Sequence, residues 1–263
     1  MAFQSAQNSR QAPLPPAAPA EPPIRLTYLH EERLNRLGAD LARGDIPEMP
    51  GLGDFDFHRR NADNEQTILS VYRATSEATA SGEAITPAAQ WLLDNHFLVE
   101  ETVRQIKRDL PKRFYKELPL AELPSGVRVP RTLLIAWAYV AHTDSTVTKE
   151  MLAAITEGYQ SVEPLKIGEL WALPSLLRFV LVENLRRIAV RVERARRLRR
   201  SANEVADLLA AGRAEAGLEG LADSAVHARD TTFAPQLLHR LRDGSRSRWS
   251  SCVAKEVSRA CTA

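Results

Sequence analysis

The sequence predicts an all-α protein, an irregular helical bundle, and three observations support this class. Apolar residues recur at spacings of three and four along most of the chain, which is typical of helices. Threonines that can cap a helix precede two of these segments, at Thr86 and Thr148. No segment combines strict alternation with a hairpin turn, the pattern of paired strands. With 263 residues, 44% of them hydrophobic, the chain is large enough to build a core.

The first half of the chain contains a leader and three helical segments. Residues 1–23 are rich in proline and have little to bury, so we expect a disordered leader. An approximate apolar stripe predicts a helix over 26–43, and glycines and prolines end it. A second helix is expected over 57–80. Thr86, followed by proline, begins a third, which ends before Pro111.

The second half is also helical. Residues 131–142 are apolar almost all round, which predicts a buried helix, with a buried strand as the alternative for so short a run. Another helix is expected over 149–161. Helix resumes at Ile167, and Pro174 either kinks or restarts it. Further helical segments are predicted over 175–200, 202–213 and 230–242.

Composition limits the class of protein. The net charge of +2 argues against a nucleic-acid binder with a wholly basic surface. Cys252 and Cys261 alone form neither a disulfide framework nor a zinc motif. The N-terminus lacks the apolar region of a signal peptide, and the longest apolar run, 133–141, is too short for a bilayer, which needs ~20 residues. We therefore expect this chain to stay in the cytoplasm, whereas a further part of a longer protein could span a membrane.

Two groups of polar residues contain histidine. Asp94, Asn95 and His96 could line a cleft or form buried hydrogen bonds between helices, and the structural interpretation is favoured. His142 and Asp144 resemble a catalytic pair, but the chain has no Gly-x-Ser-x-Gly elbow to supply a nucleophile. A cap at the C-terminus of a helix is the favoured role for both residues.

A third group suggests sugar chemistry. Trp171 could stack on a pyranose ring, while Glu169, Glu183 and Asn184 could bind hydroxyl groups. A glycosidase needs two carboxylates held across one bond, which sequence alone does not establish. The alternative is a core tryptophan with polar contacts between helices.

The sequence contains no clear metal or phosphate motif. Asp54 and Asp56 form an Asp-x-Asp pair of the kind that holds a metal in many nucleotide-sugar transferases, but no strand precedes it. A loop or helix-start role is favoured. The histidines show no paired metal spacing, and glycine-rich phosphate loops are absent. We therefore predict no catalytic residue, cofactor or metal site in this chain.

Arginine is concentrated in one stretch, 186–200. Eight arginines there face one acid, Glu193, which gives a local charge of +7 (eight minus one). A solvated helix end, attraction to anionic lipids or an acidic partner, and nucleic-acid binding are the three interpretations. Nucleic acid ranks last because stacking aromatics are absent. The arginines are Arg186, Arg187, Arg191, Arg194, Arg196, Arg197, Arg199 and Arg200.

Four ordered segments resemble cyclic β-1,2-glucan synthases. Residues 85–97, ITPAAQWLLDNHF, look like the family's ITPAAEWLLDN, and 109–115, DLPKRFY, are similar to DLP…YY. Residues 134–145, LIAWAYVAHTDS, look like LAWAFVAHTDS. IGELWALP at 167–174, followed by LVENLRR at 181–187, resembles IGELWA…LVENLRR. A weaker likeness extends over 26–243.

The resemblance implies a very large inner-membrane enzyme. Its transferase domain would use UDP-glucose and a divalent metal to build a protein-linked β-1,2-glucan, and a phosphorylase-like domain would trim the chain before cyclisation. The matched region precedes the transferase domain, and none of the matched motifs is catalytic. The expected role is therefore that of an accessory module that docks on the transferase domain at the cytoplasmic side of the inner membrane.

The chain divides into three expected parts: the leader 1–23, a helical domain 24–243 and a tail 244–263. The tail is rich in serine and arginine and does not resemble the family, so we expect a disordered or frameshifted end. Two further functions stay open. The module itself could bind glucan or nucleotide sugar through Trp171 and Glu169, or it could be a free adaptor that binds membranes or proteins through the arginine-rich helix.

Overall fold

Helices dominate the computed structural model, which describes residues 21–53, 55–213 and 232–244. The predicted all-α class is confirmed. Nearly all of the predicted leader and tail lies outside the described residues. The described elements are α1 (Glu31–Arg43), α2 (Phe57–Ala80), α3 (Pro87–Asp109), α4 (Lys112–Glu117), β1 (Leu120–Glu122), β2 (Arg128–Pro130), α5 (Arg131–His142), α6 (Lys149–Gln160), α7 (Ile167–Ala210) and α8 (Phe233–Gly244).

The core forms around α5. Every residue of α5 from Arg131 to Ala141 is buried, which confirms the helix over the alternative strand. Helices α2 and α3 both pack on α7, which also packs on α5. The 44 residues of α7 extend about 66 Å at 1.5 Å per residue. Its far end packs against α8, and this contact is a second, smaller core centred on Leu198, Phe233 and Leu237.

Local caps begin three of the helices. The Thr86 hydroxyl accepts a hydrogen bond from the Ala89 N–H at 3.3 Å, and the Thr148 hydroxyl accepts one from Met151 N–H at 3.2 Å. Both satisfy backbone donors that have no partner within the helix. Asp56 caps α2 in the same way, which supports its helix-start interpretation. Asp54 lies outside the described residues.

The predicted helix over 26–43 begins later, at Glu31. The preceding segment is extended, and its N–H groups bind carbonyls at the end of α5: Leu26 to Ala141 at 2.7 Å and Leu29 to His142 at 2.9 Å. The last carbonyls of any helix lack partners inside it. Tertiary pairing with α5 therefore replaces the first turn that the leucine spacing predicted.

Two glycines bring α1 and α6 into close contact. A Cβ at Gly38 would overlap the Ile155 carbonyl, and a Cβ at Gly158 would overlap the Asn35 carbonyl. The backbones therefore approach more closely than any other residue type would permit. The Asn35 amide donates to the Ala154 carbonyl at 3.1 Å across this contact.

Two local features differ from the sequence predictions. Residues 120–130, where the sequence predicted no strand, form a short antiparallel hairpin, with Leu120 opposite Pro130. Its three-residue strands are too short to produce an alternating pattern. The helix also continues through Pro174 without restarting, so the segment predicted over 202–213 is the end of α7.

Candidate functional site

A buried carboxylate, Glu183, organises three arginines at the centre of the molecule. Its side chain has no exposed area. Arg60 of α2 donates to both carboxylate oxygens, at 2.9 and 2.8 Å. Arg186 and Arg187 follow Glu183 by three and four residues on α7 and donate at 2.8 and 2.7 Å. Because residues three and four apart lie on one helix face, all three guanidinium groups converge on one carboxylate.

The N-terminal segment completes this cluster. Glu21, which is 41% exposed, forms ion pairs with Arg60 at 2.6 Å and with Arg186. Arg187 donates to the Pro22 carbonyl at 3.1 Å. Residues 21–23 of the predicted leader are therefore held against α2 and α7.

The arginines control the ionisation of both glutamates. Burial opposes ionisation of Glu183, but hydrogen bonds from Arg60 and Arg186 and their positive charges outweigh it and lower the pKa to about 2. The same balance lowers the pKa of Glu21 below its ordinary value. Both groups therefore carry full negative charge at neutral pH, and the cluster is ionic rather than a proton-transfer pair.

A second cluster repeats the spacing ten residues later on α7. Glu193 is 3% exposed and accepts from Arg196 at 2.8 and 2.9 Å and from Arg197 at 2.7 Å. Arg196 also donates to Glu83, in the loop between α2 and α3, at 2.7 Å. Burial opposes ionisation of Glu193, but the two arginines outweigh it and lower its pKa.

These pairs change the interpretation of the arginine-rich stretch. Arg186, Arg187, Arg196 and Arg197 are paired with glutamates, and Arg200 pairs with Glu204 at 3.1 Å. Arg199 is partly buried. The stretch is therefore not a uniformly free positive surface. Sequence counting overstated its charge because Glu21, Glu83, Glu183 and Glu204 lie outside the counted window.

Three predicted site residues hold the N-terminal segment in place. Asn184 accepts from the Ile24 N–H at 2.7 Å and donates to Ser145 at 2.9 Å. A His142 ring nitrogen lies 2.7 Å from the Thr27 carbonyl. Asp144 pairs with Arg25 at 3.2 Å. The predicted helix cap is thus corrected: His142 and Asp144 contact the extended segment that crosses the end of α5, rather than their own turn.

Glu169 and Trp171 lie on different sides of α7. The Glu169 side chain is buried and forms a two-pronged pair with Arg131, at 2.5 and 2.6 Å. It also accepts from the Lys166 N–H and so caps its own helix. Trp171 is 76% exposed. The Glu169 carboxylate is therefore used inside the fold, whereas Trp171 faces outward and is not a core residue.

Trp171 belongs to an exposed apolar stripe at the start of α7. Ile167 is 70% exposed and Leu170 is 41% exposed. Pro174 is exposed as well. The spacing of three and four places these residues on one face of the helix. We call Ile167, Leu170, Trp171 and Pro174 the α7 stripe.

The Asp94 group makes mostly local contacts. Asp94 accepts from Gln90 at 2.8 Å, and Asn95 donates to the Trp91 carbonyl at 2.8 Å, both within α3. Only His96 reaches another helix, where its ring lies 4.1 Å from that of Tyr72. The expected buried hydrogen bonds between helices are therefore replaced by bonds within one helix.

The described part of the chain contains no group of three or more His, Cys, Asp or Glu side chains placed to hold a metal ion. Over the same residues, no helix is both long and apolar enough to cross a bilayer.

Sequence reasoning missed Arg60, Glu21, Glu83 and Arg131 as partners in these ion pairs. Arg60 lies 123 positions from Glu183, and no local pattern connects them. Glu21 was assigned to the leader, and Arg131 to an apolar helix. The Glu-x-x-Arg-Arg spacing at 183–187 and 193–197 is a signal that was present in the sequence.

Two comparisons with known proteins were informative. No family model matches the chain, but one long protein is similar to it. The cyclic β-(1,2)-glucan synthase NdvB of Rhizobium meliloti (strain 1021) is 51% identical to it over 247 residues. That alignment covers 92% of this chain and 9% of the synthase, so the relative is far longer. The chain is therefore a homologue of one segment of a cyclic β-(1,2)-glucan synthase.

Proposed function

We propose that this chain is a non-catalytic docking module of a cyclic β-(1,2)-glucan synthase. It would bind another part of the same long polypeptide, the transferase domain, through the α7 stripe. The glucosyl transfer would be performed by that domain. The exposed stripe is the observation that carries the proposal, since contiguous apolar surface on a folded chain marks an interaction site.

The positions of the polar motif residues support a structural role for them. Glu169 and Glu183 are buried against arginines, and Asn184 binds backbone and a serine. These groups are already used within the fold, so they are not available to a substrate. The exposed members of the IGELWA segment are apolar, and nothing in the described fold covers them.

The size of the relative supports the choice of partner. The matched segment covers 9% of the synthase, so most of that polypeptide lies outside it. An apolar stripe that includes a tryptophan suits a protein surface, because buried aromatic residues contribute most to binding. A second exposed apolar pair, Phe97 and Leu98, is a weaker candidate because Asp94 and Glu101 flank it on α3.

Co-purification tests the docking role. The separately expressed transferase part of a cyclic β-(1,2)-glucan synthase is used to capture this chain, its Trp171→Ser variant and its Phe97→Ser variant. Phe97 is the matched control, since it is an equally exposed aromatic residue, at 74%, outside the α7 stripe. Capture should be lost with W171S and kept with F97S. Equal capture of both variants, or loss with F97S alone, contradicts the proposal.

A sugar ligand is the second candidate, and the exposed Trp171 ring favours it. Calorimetric titration with β-1,2-glucan and with UDP-glucose distinguishes the two functions. The docking proposal predicts no heat of binding that depends on Trp171. Heat that disappears in Trp171→Ala would replace docking with sugar binding.

A further inference from the structure

Three arginines around Glu183 present more positive charge than the buried glutamate neutralises. Arg60, Arg186 and Arg187 carry three positive charges, and Glu183 carries one negative charge. Without Glu21, the net charge of this group would be +2. The Glu193 cluster differs, because Arg196 and Arg197 there face two glutamates, Glu193 and Glu83.

Glu183 also fixes the orientation of the three guanidinium groups. It binds all three from the buried side. Arg187 is further held by the Gly51 carbonyl, and its guanidinium lies 5.4 Å from the ring of Trp137. Guanidinium groups that are already fixed lose little conformational entropy when a ligand binds.

The Glu21 carboxylate occupies the open side of this arrangement. It is 41% exposed, whereas Arg187 is fully buried and Arg186 is 13% exposed. The Nε atom of Arg186 is buried and has no hydrogen-bond partner among the described residues. The site therefore holds one acidic side chain near solvent and keeps one unused donor.

We propose that Arg60, Arg186 and Arg187 form a phosphate-binding site that the chain's own Glu21 occupies in this structure. Fixed guanidinium groups match the oxygen geometry of phosphate. A phosphate ester carries about −1.5 to −2 charge at neutral pH, so it balances the +2 of the site better than one carboxylate does. Displacement of residues 21–23 admits the ligand. This inference does not depend on the docking role of the α7 stripe.

Isothermal titration of inorganic phosphate into the full chain and its Glu21→Gln variant tests the site. Removing the internal competitor should lower the apparent Kd at least about tenfold if Glu21 fills the site for nine-tenths of the time. The double variant Glu21→Gln/Arg186→Met should lose this gain, and Glu21→Gln/Arg186→Lys should keep part of it. Thermal unfolding of each variant separates lost binding from lost folding.

The Glu83→Gln variant is the matched control. It removes the outer glutamate of the balanced Glu193 cluster, where we expect no comparable gain. Absence of phosphate binding to E21Q, a gain that ignores Arg186, or an equal gain in E83Q would each overturn the proposal. Parallel titrations with a nucleoside diphosphate and with phosphatidic-acid vesicles identify whether the phosphate belongs to a soluble ligand or to a lipid headgroup.

Discussion

The two ionic clusters of α7 share one sequence pattern but differ in charge and in the elements that complete them. Each has a glutamate followed by arginines at three and four positions. The Glu183 cluster gains Arg60 from α2 and Glu21 from the N-terminal segment, so three arginines face two glutamates. Among the described residues, the Glu193 cluster gains Glu83, so the charges of these four side chains balance. The environment of a helix face, rather than its local sequence, therefore determines what the same pattern does.

The largest difference is expected when each central glutamate is neutralised. Glu183→Gln leaves buried arginines without adequate compensation and should cost about 3–5 kcal/mol of the free energy of unfolding. Glu193→Gln should cost about 1–3 kcal/mol, because Arg196 keeps Glu83. Urea denaturation measures both values. Equal losses would mean that the clusters are energetically equivalent.

Acid should destabilise the protein in part through Glu183. Its pKa falls from 4.5 to about 2 in the folded state, so its stabilisation is complete above about pH 4.5 and is lost as the pH falls towards 2. The loss should be on the order of 3 kcal/mol. Between pH 5 and 2, the free energy of unfolding should fall less steeply with decreasing pH in Glu183→Gln than in the unmodified protein. An unchanged slope in that variant contradicts this assignment.

The next largest difference in stability loss is expected for the residues that connect each cluster to a neighbouring element, Arg60 and Glu83. Arg60→Met removes the ion pair between α2 and Glu183 and should cost about 2 kcal/mol. The Glu83 side chain is 28% exposed. Its replacement in Glu83→Gln removes one partner of Arg196 and should cost about 1 kcal/mol or less of the free energy of unfolding. Thermal unfolding compares the two variants. A larger effect for E83Q would reverse the expected order.

The smallest effect is expected where the arginine stretch is exposed. Arg200 pairs with Glu204, and both side chains are more than half exposed. Solvent screens such pairs, so Arg200→Gln should change the free energy of unfolding by about 0.5 kcal/mol or less. Denaturation in low and high salt checks this value. A loss comparable to that of E83Q would show that exposure does not govern the series.

Local signals in the sequence predicted most of the helices. The caps at Thr86 and Thr148 and the apolar run of α5 depend on neighbouring residues only, and the structure confirms them. The start of α1 was misplaced because residues 26–29 bind carbonyls of α5. The hairpin was missed because its strands contain three residues each.

Sequence reasoning named Glu183 and the arginines of α7 but not the contacts that they make. Sequence identified Glu169, Trp171 and Glu183 as one group, since all three are suited to sugar binding. The structure separates them, because the face of α7 on which a residue lies determines its exposure. Arg60 and Arg131, which neutralise the buried carboxylates, come from distant parts of the chain and carry no local signal.

The proposed docking would place the α7 stripe against the transferase part of the synthase, while the polar motif residues hold the fold. Hydroxyl-radical footprinting with mass spectrometry, performed with and without the transferase part of a cyclic β-(1,2)-glucan synthase, tests it most directly. Oxidation of Trp171 should fall severalfold on binding, whereas oxidation of Trp91, an exposed tryptophan on α3, should stay constant. Unchanged oxidation of Trp171 in the presence of bound partner would contradict the account.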